Sequence, residues 1–233
     1  MNAVDEFIVY DNIEFTKKGW INRNRILVNG KDEFITLPLK KDSDFLDVND
    51  RFLAESWSQD RSKMLNRIKE SYRKAPCFNE IFPLIERCIL FEEKNLFDFI
   101  FNSIQEIKNQ LGIKTILHKS SEIPIDHKLK SEEKVISICK KLEAKQYINP
   151  FGGISLYNVE NFAEQNIELT FLKPNLTTYL QFGPSFIPYL SIMDTLMFND
   201  HTAMSEMLQS FRLLTDNEIK IELALISENQ ENK

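Results

Sequence analysis

Residues 146–172 read QYINPFGGISLYNVENFAEQNIELTFL, and their pattern changes twice along the stretch. Two short runs, at 146–148 and 167–172, are rich in β-branched and aromatic residues, which is typical of strands. Between them, residues 159–165 have the apolar spacing of a short helix. A strand, a helix and a second strand of these lengths indicate parallel strands joined by a right-handed crossover.

The same alternation continues towards the amino terminus. Residues 132–142 have the apolar spacing of a helix, and residues 114–117 before them have the pattern of a strand. The run from Phe7 to Tyr10 is a further short strand candidate. Asn29-Gly30 stands between two apolar runs and predicts a hairpin turn, because both residues tolerate positive φ. The polar residues 31–33 follow this pair, so a somewhat longer loop stays open.

Residues 56–111 predict helices, since apolar side chains recur there at helical spacing and Gly112 follows as a left-handed cap. The sequence therefore predicts an α/β fold, a mostly parallel sheet with flanking helices in Rossmann-like layering, plus this helical segment. No repeat or linker is evident. We expect a single α/β domain over residues 1–226 and a frayed polar tail over residues 227–233.

Composition limits the classes of function. The chain has 233 residues, with 29 Lys and Arg against 35 Asp and Glu, and its net charge of −6 disfavours general electrostatic binding of nucleic acid. The amino terminus lacks the basic and apolar segments of a secretory signal, and no apolar run approaches the roughly 20 residues that span a bilayer. Three widely spaced cysteines indicate reduced thiols. We expect a cytoplasmic protein with no membrane span and no nucleic-acid partner.

The densest polar cluster covers residues 11–25, DNIEFTKKGWINRNR, and follows the first strand. Asp11 is the candidate general base. Arg23 offers a planar fork for phosphate or carboxylate, and Trp20 could stack on a base or a sugar. The candidate substrate-binding residues of this cluster are Lys17, Trp20, Asn22, Arg23 and Asn24. A solvated charged loop, with Trp20 as a plug of the core, would have the same composition.

A second candidate cluster is the segment from Asn149 to Gly153, between a predicted strand and a short helix. Consecutive glycines let backbone N–H groups approach a ligand, and ligands favour the carboxyl ends of strands in α/β folds. Asn149, Gly152 and Gly153 are therefore candidate substrate-binding residues, and we expect them to line one site with Asp11. An ordinary structural turn uses the same residue types.

Other residues give weaker signals. The three histidines are too far apart in sequence for a paired metal motif, so we predict no metal site. Cys139 lies on an apolar helical stripe and is predicted to be part of the core. Asp194 lies in an otherwise apolar helical run, where a carboxylate needs a partner unless it caps the helix or reaches solvent.

Several segments of the chain resemble the WbqC-like family. The opening signature is DEFIVYDNIEFTKKGWINRNRI at residues 5–26. Further matching segments are YRKAP at 72–76, LGIKT at 111–115, ICK at 138–140, YINPFGG at 147–153 and FIPYLSIMD at 186–194. The resemblance covers nearly the whole chain.

This resemblance implies a place in bacterial O-antigen, lipopolysaccharide or other surface-polysaccharide biosynthesis. The implied small-molecule substrate is a nucleotide-linked sugar or another polysaccharide precursor. We expect a transferase that moves an acyl or aminoacyl group to an amino sugar; glycosyl transfer, or a non-catalytic binding or scaffold role, stays open. The cofactor and the oligomeric state are left unknown. Members of the family usually begin further upstream, with a strand and a Gly-Tyr-Phe segment, which we expect this chain to lack.

Overall fold

The computed structural model describes residues 1–231, which form two compact units. The first unit contains residues 1–120 and 177–208. The second contains residues 121–176 and the chain from residue 209 onwards. The single domain expected over residues 1–226 stays a prediction. None of the helices in the described part of the chain is long and apolar enough to cross a bilayer.

Three strands and then three α-helices occupy residues 6–110, and strands alternate with helices over most of the remaining chain. The strands are β1 (Glu6–Val9), β2 (Arg23–Val28), β3 (Lys31–Thr36), β4 (Ile116–Lys119), β5 (Gln146–Pro150), β6 (Glu168–Pro174) and β7 (Phe211–Leu213). The α-helices are α1 (Trp57–Tyr72), α2 (Phe78–Leu90), α3 (Leu96–Gln110), α4 (Ser131–Lys141), α5 (Val159–Ala163), α6 (Ile192–Phe198), α7 (His201–Gln209) and α8 (Asp216–Glu231). Of the tail expected over residues 227–233, residues 227–231 lie in α8, and residues 232–233 lie outside the described residues.

A parallel pair of strands positions the candidate site in the first unit. β1 and β4 pair in parallel, with Val9 opposite Lys119 at the carboxyl ends of the two strands. Because the two strands end level with each other, the residues that directly follow them lie at the same edge. Those residues include Asp11 and Ser120.

The predicted hairpin is confirmed. β2 and β3 are antiparallel, with Val28 opposite Lys31, and Asn29 and Gly30 form the two-residue turn between them. The φ angles of these two residues are +50° and +75°. Positive φ at both positions is what a type I′ turn needs, and this turn matches the twist of a hairpin.

The helical segment predicted near 56–111 is confirmed by α1, α2 and α3, and Gly112 follows α3 with a φ of +65°. Their apolar faces enclose the core of the first unit together with β2 and α6. The fully buried side chains of this core include Ile68, Leu84, Leu96 and Met197. Apolar side chains at helical spacing thus form the inward faces of these helices.

The strand–helix–strand prediction for residues 146–172 is confirmed in the second unit, where β5 and β6 are parallel and α5 lies between them in sequence. β7 adds to β6 in the antiparallel direction. Cys139 of α4 is buried in the apolar core of this unit together with Phe162 and Phe171, so its predicted core position is also confirmed.

The mixed α/β class is confirmed, but the predicted mostly parallel sheet in Rossmann-like layering is not seen. Within residues 1–231 the strands form two pairs and one three-stranded sheet. Two of the pairings, β2 with β3 and β6 with β7, are antiparallel. Apolar periodicity finds a strand but does not choose its neighbour, because pairing depends on contacts between distant parts of the chain.

Candidate functional site

Asp11 is held at the carboxyl edge of the β1–β4 pair by hydrogen bonds to both carboxylate oxygens. The Ser120 hydroxyl donates to Asp11 Oδ1 over 2.8 Å, and Asn49 Nδ2 donates to Asp11 Oδ2 over 3.3 Å. The backbone N–H of Asp11 in turn donates to Ser120 Oγ over 3.3 Å. Asp11 is only 3% exposed, and such a buried carboxylate requires these donors.

Asn12 completes a small polar group, which we call the Asp11 cluster: Asp11, Asn12, Asn49 and Ser120. Asn12 Oδ1 lies 2.6 Å from Ser120 Oγ. Asn12 and Asn49 are half-buried, whereas Ser120 is fully buried. A ligand would therefore meet the two amides first, and each amide offers both a donor and an acceptor for a hydroxyl or a carbonyl group.

Lys17 and Arg23, the two cations among the predicted substrate-binding residues, have partners within the protein. Lys17 Nζ lies 2.7 Å from the carboxylate of Asp44, and both side chains are more than half exposed. Arg23 Nε donates to the Gly19 carbonyl over 2.8 Å, and Arg23 Nη2 donates to the Lys18 carbonyl. Arg23 therefore fastens the preceding turn, while Lys17 forms an exposed ion pair.

Trp20 forms an exposed surface of aromatic rings and guanidinium groups. Its side chain is 59% exposed, so the alternative in which Trp20 plugs the core is wrong. The centroid of its ring lies 5.8 Å from the centroid of the Phe34 ring. The guanidinium carbons of Arg23 and Arg25 lie 5.6 and 5.5 Å from the centroid of the Trp20 ring. The structure thus brings Trp20 and Arg23 together, as stacking and charge-bearing groups of one surface.

The two asparagines predicted beside Arg23 belong to the hairpin. Asn22 Nδ2 donates to the Leu37 carbonyl over 2.9 Å, and the Leu37 N–H donates to the Asn22 carbonyl over 2.8 Å. Asn24 is exposed, and its Oδ1 accepts the N–H of Arg25 over 2.9 Å. Asn22 therefore closes the base of the hairpin, while Asn24 is an exposed residue of β2.

The second predicted cluster lies in the second unit, at the carboxyl end of β5. Asn149 is nearly buried, and its Oδ1 accepts a hydrogen bond from the Tyr147 hydroxyl over 3.1 Å. A Cβ on Gly153 would lie 2.2 Å from Asn149 Nδ2, whereas a Cβ on Gly152 would meet nothing within 4 Å. Gly153 therefore makes room for the Asn149 amide. The expectation that this cluster lines one site with Asp11 stays a prediction.

Asp194 has the partners that its burial requires. Its side chain is fully buried and accepts hydrogen bonds from Tyr72 Oη over 2.8 Å, Tyr179 Oη over 2.7 Å and Gln181 Nε2 over 2.7 Å. Burial raises the pKa of Tyr179 to about 12, and burial followed by the Asp194 charge raises the pKa of Tyr72 still further. Both phenols consequently stay protonated donors to the carboxylate.

Two buried polar residues, Ser120 and Arg51, were not among the predicted site residues. Ser120 had one signal in the sequence, its position directly after a predicted strand. Arg51 had none, yet it is 6% exposed and its guanidinium carbon lies 4.8 Å from the Phe15 ring centroid. Across the described side chains, no group of three or more His, Cys, Asp or Glu residues is arranged to hold a metal ion.

Comparison with known proteins agrees with the resemblance seen in the sequence. The family model of the WbqC-like protein family matches residues 1–206. The uncharacterized protein Rv1507c of Mycobacterium tuberculosis is 29% identical over 201 residues, which cover 84% of each chain. No solved structure matches significantly. The chain therefore belongs to the WbqC-like protein family.

Proposed function

We propose that this protein binds a nucleotide-linked sugar and transfers an acyl or aminoacyl group to the amine of that sugar. The observation that carries the proposal is the Asp11 carboxylate, buried and hydrogen-bonded through both oxygens at the carboxyl edge of a parallel strand pair. Ligands of α/β proteins favour this edge. Family membership supports a shared biochemical role but specifies no reaction.

Asp11 is the proposed general base. The acyl donor in this proposal is an activated ester or thioester. The amine nitrogen attacks the acyl carbonyl carbon, the bond from that carbon to the leaving oxygen or sulfur breaks, and the leaving group departs as an alcohol or thiol after taking up a proton. The new amide nitrogen loses a proton. Asp11 accepts that proton directly or through one water, which requires an approach of about 3 Å. Because Asp11 is nearly buried, the amine must approach past the half-buried amides of Asn12 and Asn49.

The remaining residues of the proposed site bind the nucleotide and the sugar. The exposed Trp20 ring stacks on a base or a sugar, and Arg23 Nη1, which makes no hydrogen bond to the described residues, is available to a phosphate oxygen. A phosphate can replace the Asp44 carboxylate as the partner of Lys17, because an exposed ion pair contributes only about 0–1 kcal/mol to the free energy of folding. The other proposed ligand contacts are Asn22 and Asn24 in the first unit, and Asn149, Gly152 and Gly153 in the second.

The proposed setting is bacterial surface-polysaccharide synthesis in the cytoplasm, including O-antigen and lipopolysaccharide. Nucleotide-linked sugars are the activated precursors of such synthesis. Cys77, Cys88 and Cys139 are all free, which supports a reducing compartment. The similarity of residues 1–206 to the WbqC-like family supports the pathway.

A panel of nucleotide-linked amino sugars, screened by thermal denaturation, tests binding. A true ligand at 100 times its dissociation constant should stabilise the fold by about 2.7 kcal/mol. With the ligand known, Asp11→Asn should keep binding but lose the acylated product measured by mass spectrometry. Asp50→Asn, which changes an exposed carboxylate in the nearby 3₁₀ turn, is the matched control. Full turnover by Asp11→Asn would contradict the general-base role.

Binding without catalysis is the second candidate function, and the 3% exposure of Asp11 favours it. In that case the carboxylate only joins the ends of β1 and β4. Asp11→Asn would then lower the melting temperature, and no acyl donor would yield a product with the wild-type protein. Glycosyl transfer, the other alternative, breaks the bond between the sugar and the phosphate, so it is distinguished by release of the nucleoside diphosphate in the same assay.

A further inference from the structure

Arg51 is a buried cation for which the described residues provide no anionic partner. Its Nη1 donates to the Ser43 carbonyl over 2.6 Å, and its guanidinium packs against the Phe15 ring. Its Nε is buried and has no hydrogen-bond partner, and no ion pair joins it to any of the side chains that the structure describes. A desolvated charge of this kind is costly unless an anion compensates it.

The backbone joins the segment that precedes Arg51 to the residues that follow β1. The N–H of Phe15 donates to the Leu46 carbonyl over 3.0 Å, and the N–H of Asn49 donates to the Asp11 carbonyl over 3.1 Å. These bonds join the segment after β1 to the segment before Arg51 as a short antiparallel ribbon. Arg51 therefore lies two residues from Asn49, whose side chain binds the Asp11 carboxylate.

Two neighbouring residues, Ser43 and Asp44, contact the two cations Arg51 and Lys17. The Ser43 carbonyl accepts a hydrogen bond from Arg51, and the Asp44 carboxylate forms an ion pair with Lys17 over 2.7 Å. Both residues are exposed, and an exposed ion pair is weak. The segment therefore supplies oxygen atoms to the two cations through contacts that a more strongly charged ligand can replace.

We propose that Arg51 and Lys17 form a phosphate-binding site, which the Ser43-Asp44 segment occupies when no ligand is bound. A pyrophosphate group displaces the Asp44 carboxylate from Lys17 and gives Arg51 the anionic partner that it lacks. The planar guanidinium suits bidentate binding of phosphate oxygens. The inference rests on the proposed function, because it adds Arg51 to Lys17 and Arg23 as a group that binds the phosphates of the nucleotide-linked ligand.

Calorimetric titration of the full chain with inorganic pyrophosphate tests the site. Arg51→Met keeps an unbranched apolar stem but removes the charge, and it should weaken binding at least tenfold. Asp44→Asn removes the competing carboxylate and should tighten binding several-fold. Arg61→Met is the matched control for loss of one positive charge, since Arg61 pairs with the exposed Glu92, and it should change binding less than twofold.

Three results overturn the inference: no pyrophosphate binding by the wild-type protein, equal affinities of Arg51→Met and Arg61→Met, or an unchanged affinity of Asp44→Asn. If Arg51→Met does not fold, Asp44→Asn decides alone. Nucleotide-sugar binding that is insensitive to Arg51→Met overturns this inference and leaves the proposed function standing. Pyrophosphate binding that depends on Arg51, without turnover of any nucleotide sugar, supports the site and contradicts the proposed transferase.

Discussion

The Tyr72 hydroxyl donates to Asp194 Oδ2 over 2.8 Å, and both side chains are fully buried. The same hydroxyl accepts the backbone N–H of Leu27 over 2.8 Å. A single phenol thus connects α1, β2 and α6. Because Asp194 also accepts hydrogen bonds from Tyr179 and Gln181, its carboxylate fastens the segment before α6 to the core of the first unit.

Tyr72→Phe should lower the free energy of unfolding by about 1–3 kcal/mol, because the Leu27 N–H and the Asp194 carboxylate both lose a buried partner. Urea denaturation measures the change. Tyr189→Phe is the matched control, since the Tyr189 side chain is 77% exposed and should tolerate the loss of its hydroxyl. Equal stabilities of the two variants would show that the buried hydrogen bonds of Tyr72 contribute nothing.

The requirement for a partner at Asp194 follows from sequence alone, because a carboxylate in an apolar helical run cannot be buried unpaired. The identity of the partners does not follow. Tyr72 is separated from Asp194 by 122 positions, and Gln181 lies in a segment without helical or strand periodicity. The sheets show the same limit. The local pattern predicted the strands, but it did not predict that they form small sheets with some antiparallel pairs.

Composition also could not separate ligand-binding cations from structural ones. Arg23 was predicted to bind phosphate, but two of its nitrogens donate to the carbonyls of Lys18 and Gly19, which are local contacts. Arg51 gave no sequence signal, because its burial depends on the Phe15 ring and on the segment around Ser43. The contacts of Arg23 are local and the ring contact of Arg51 is tertiary, and residue type alone encodes neither.

Arg23→Lys should reduce the free energy of unfolding by about 1 kcal/mol, since an ammonium group cannot reproduce two hydrogen bonds from one planar fork. Thermal denaturation without ligand measures this change. The control is Arg73→Lys, because the Arg73 guanidinium forms only an exposed ion pair with Glu70. An unchanged melting temperature for Arg23→Lys would show that these hydrogen bonds do not stabilise the fold, and ligand binding would be the only role left for Arg23.

Gly153→Ala should disturb the second cluster, because the new Cβ would lie 2.2 Å from Asn149 Nδ2 and force that amide away from Tyr147. Overpacking of this kind typically costs about 1–3 kcal/mol, which urea denaturation can measure. Gly152→Ala is the matched control, since its Cβ would meet nothing within 4 Å. A stable Gly153→Ala variant with unchanged tyrosine fluorescence would show that the new Cβ is accommodated while the Asn149 amide keeps its contact with Tyr147.

Cys88 and Cys139 predict how stability depends on pH in the alkaline range. Burial raises the pKa of each thiol from 9.0 to about 11. Between pH 9 and 11 the folded state therefore keeps protons that the unfolded state has lost. The stability associated with each thiol is fully present below pH 9 and decreases as the pH rises towards 11, by about 1.4 kcal/mol per pH unit.

Cys139→Ala should remove the part of the pH-dependent stability that comes from the Cys139 thiol. The loss of stability at alkaline pH that comes from Cys88 and the buried tyrosines should stay. We expect the variant to be less stable than the wild type at pH 7, because it leaves a small cavity beside Val135 and Phe162. Its stability should then fall less steeply between pH 9 and 10.5, by about 1.4 kcal/mol per pH unit less than in the wild type. Urea titrations at both pH values measure the two slopes. Parallel slopes for the two proteins would mean that the Cys139 thiol ionises in the folded state as readily as in the unfolded chain.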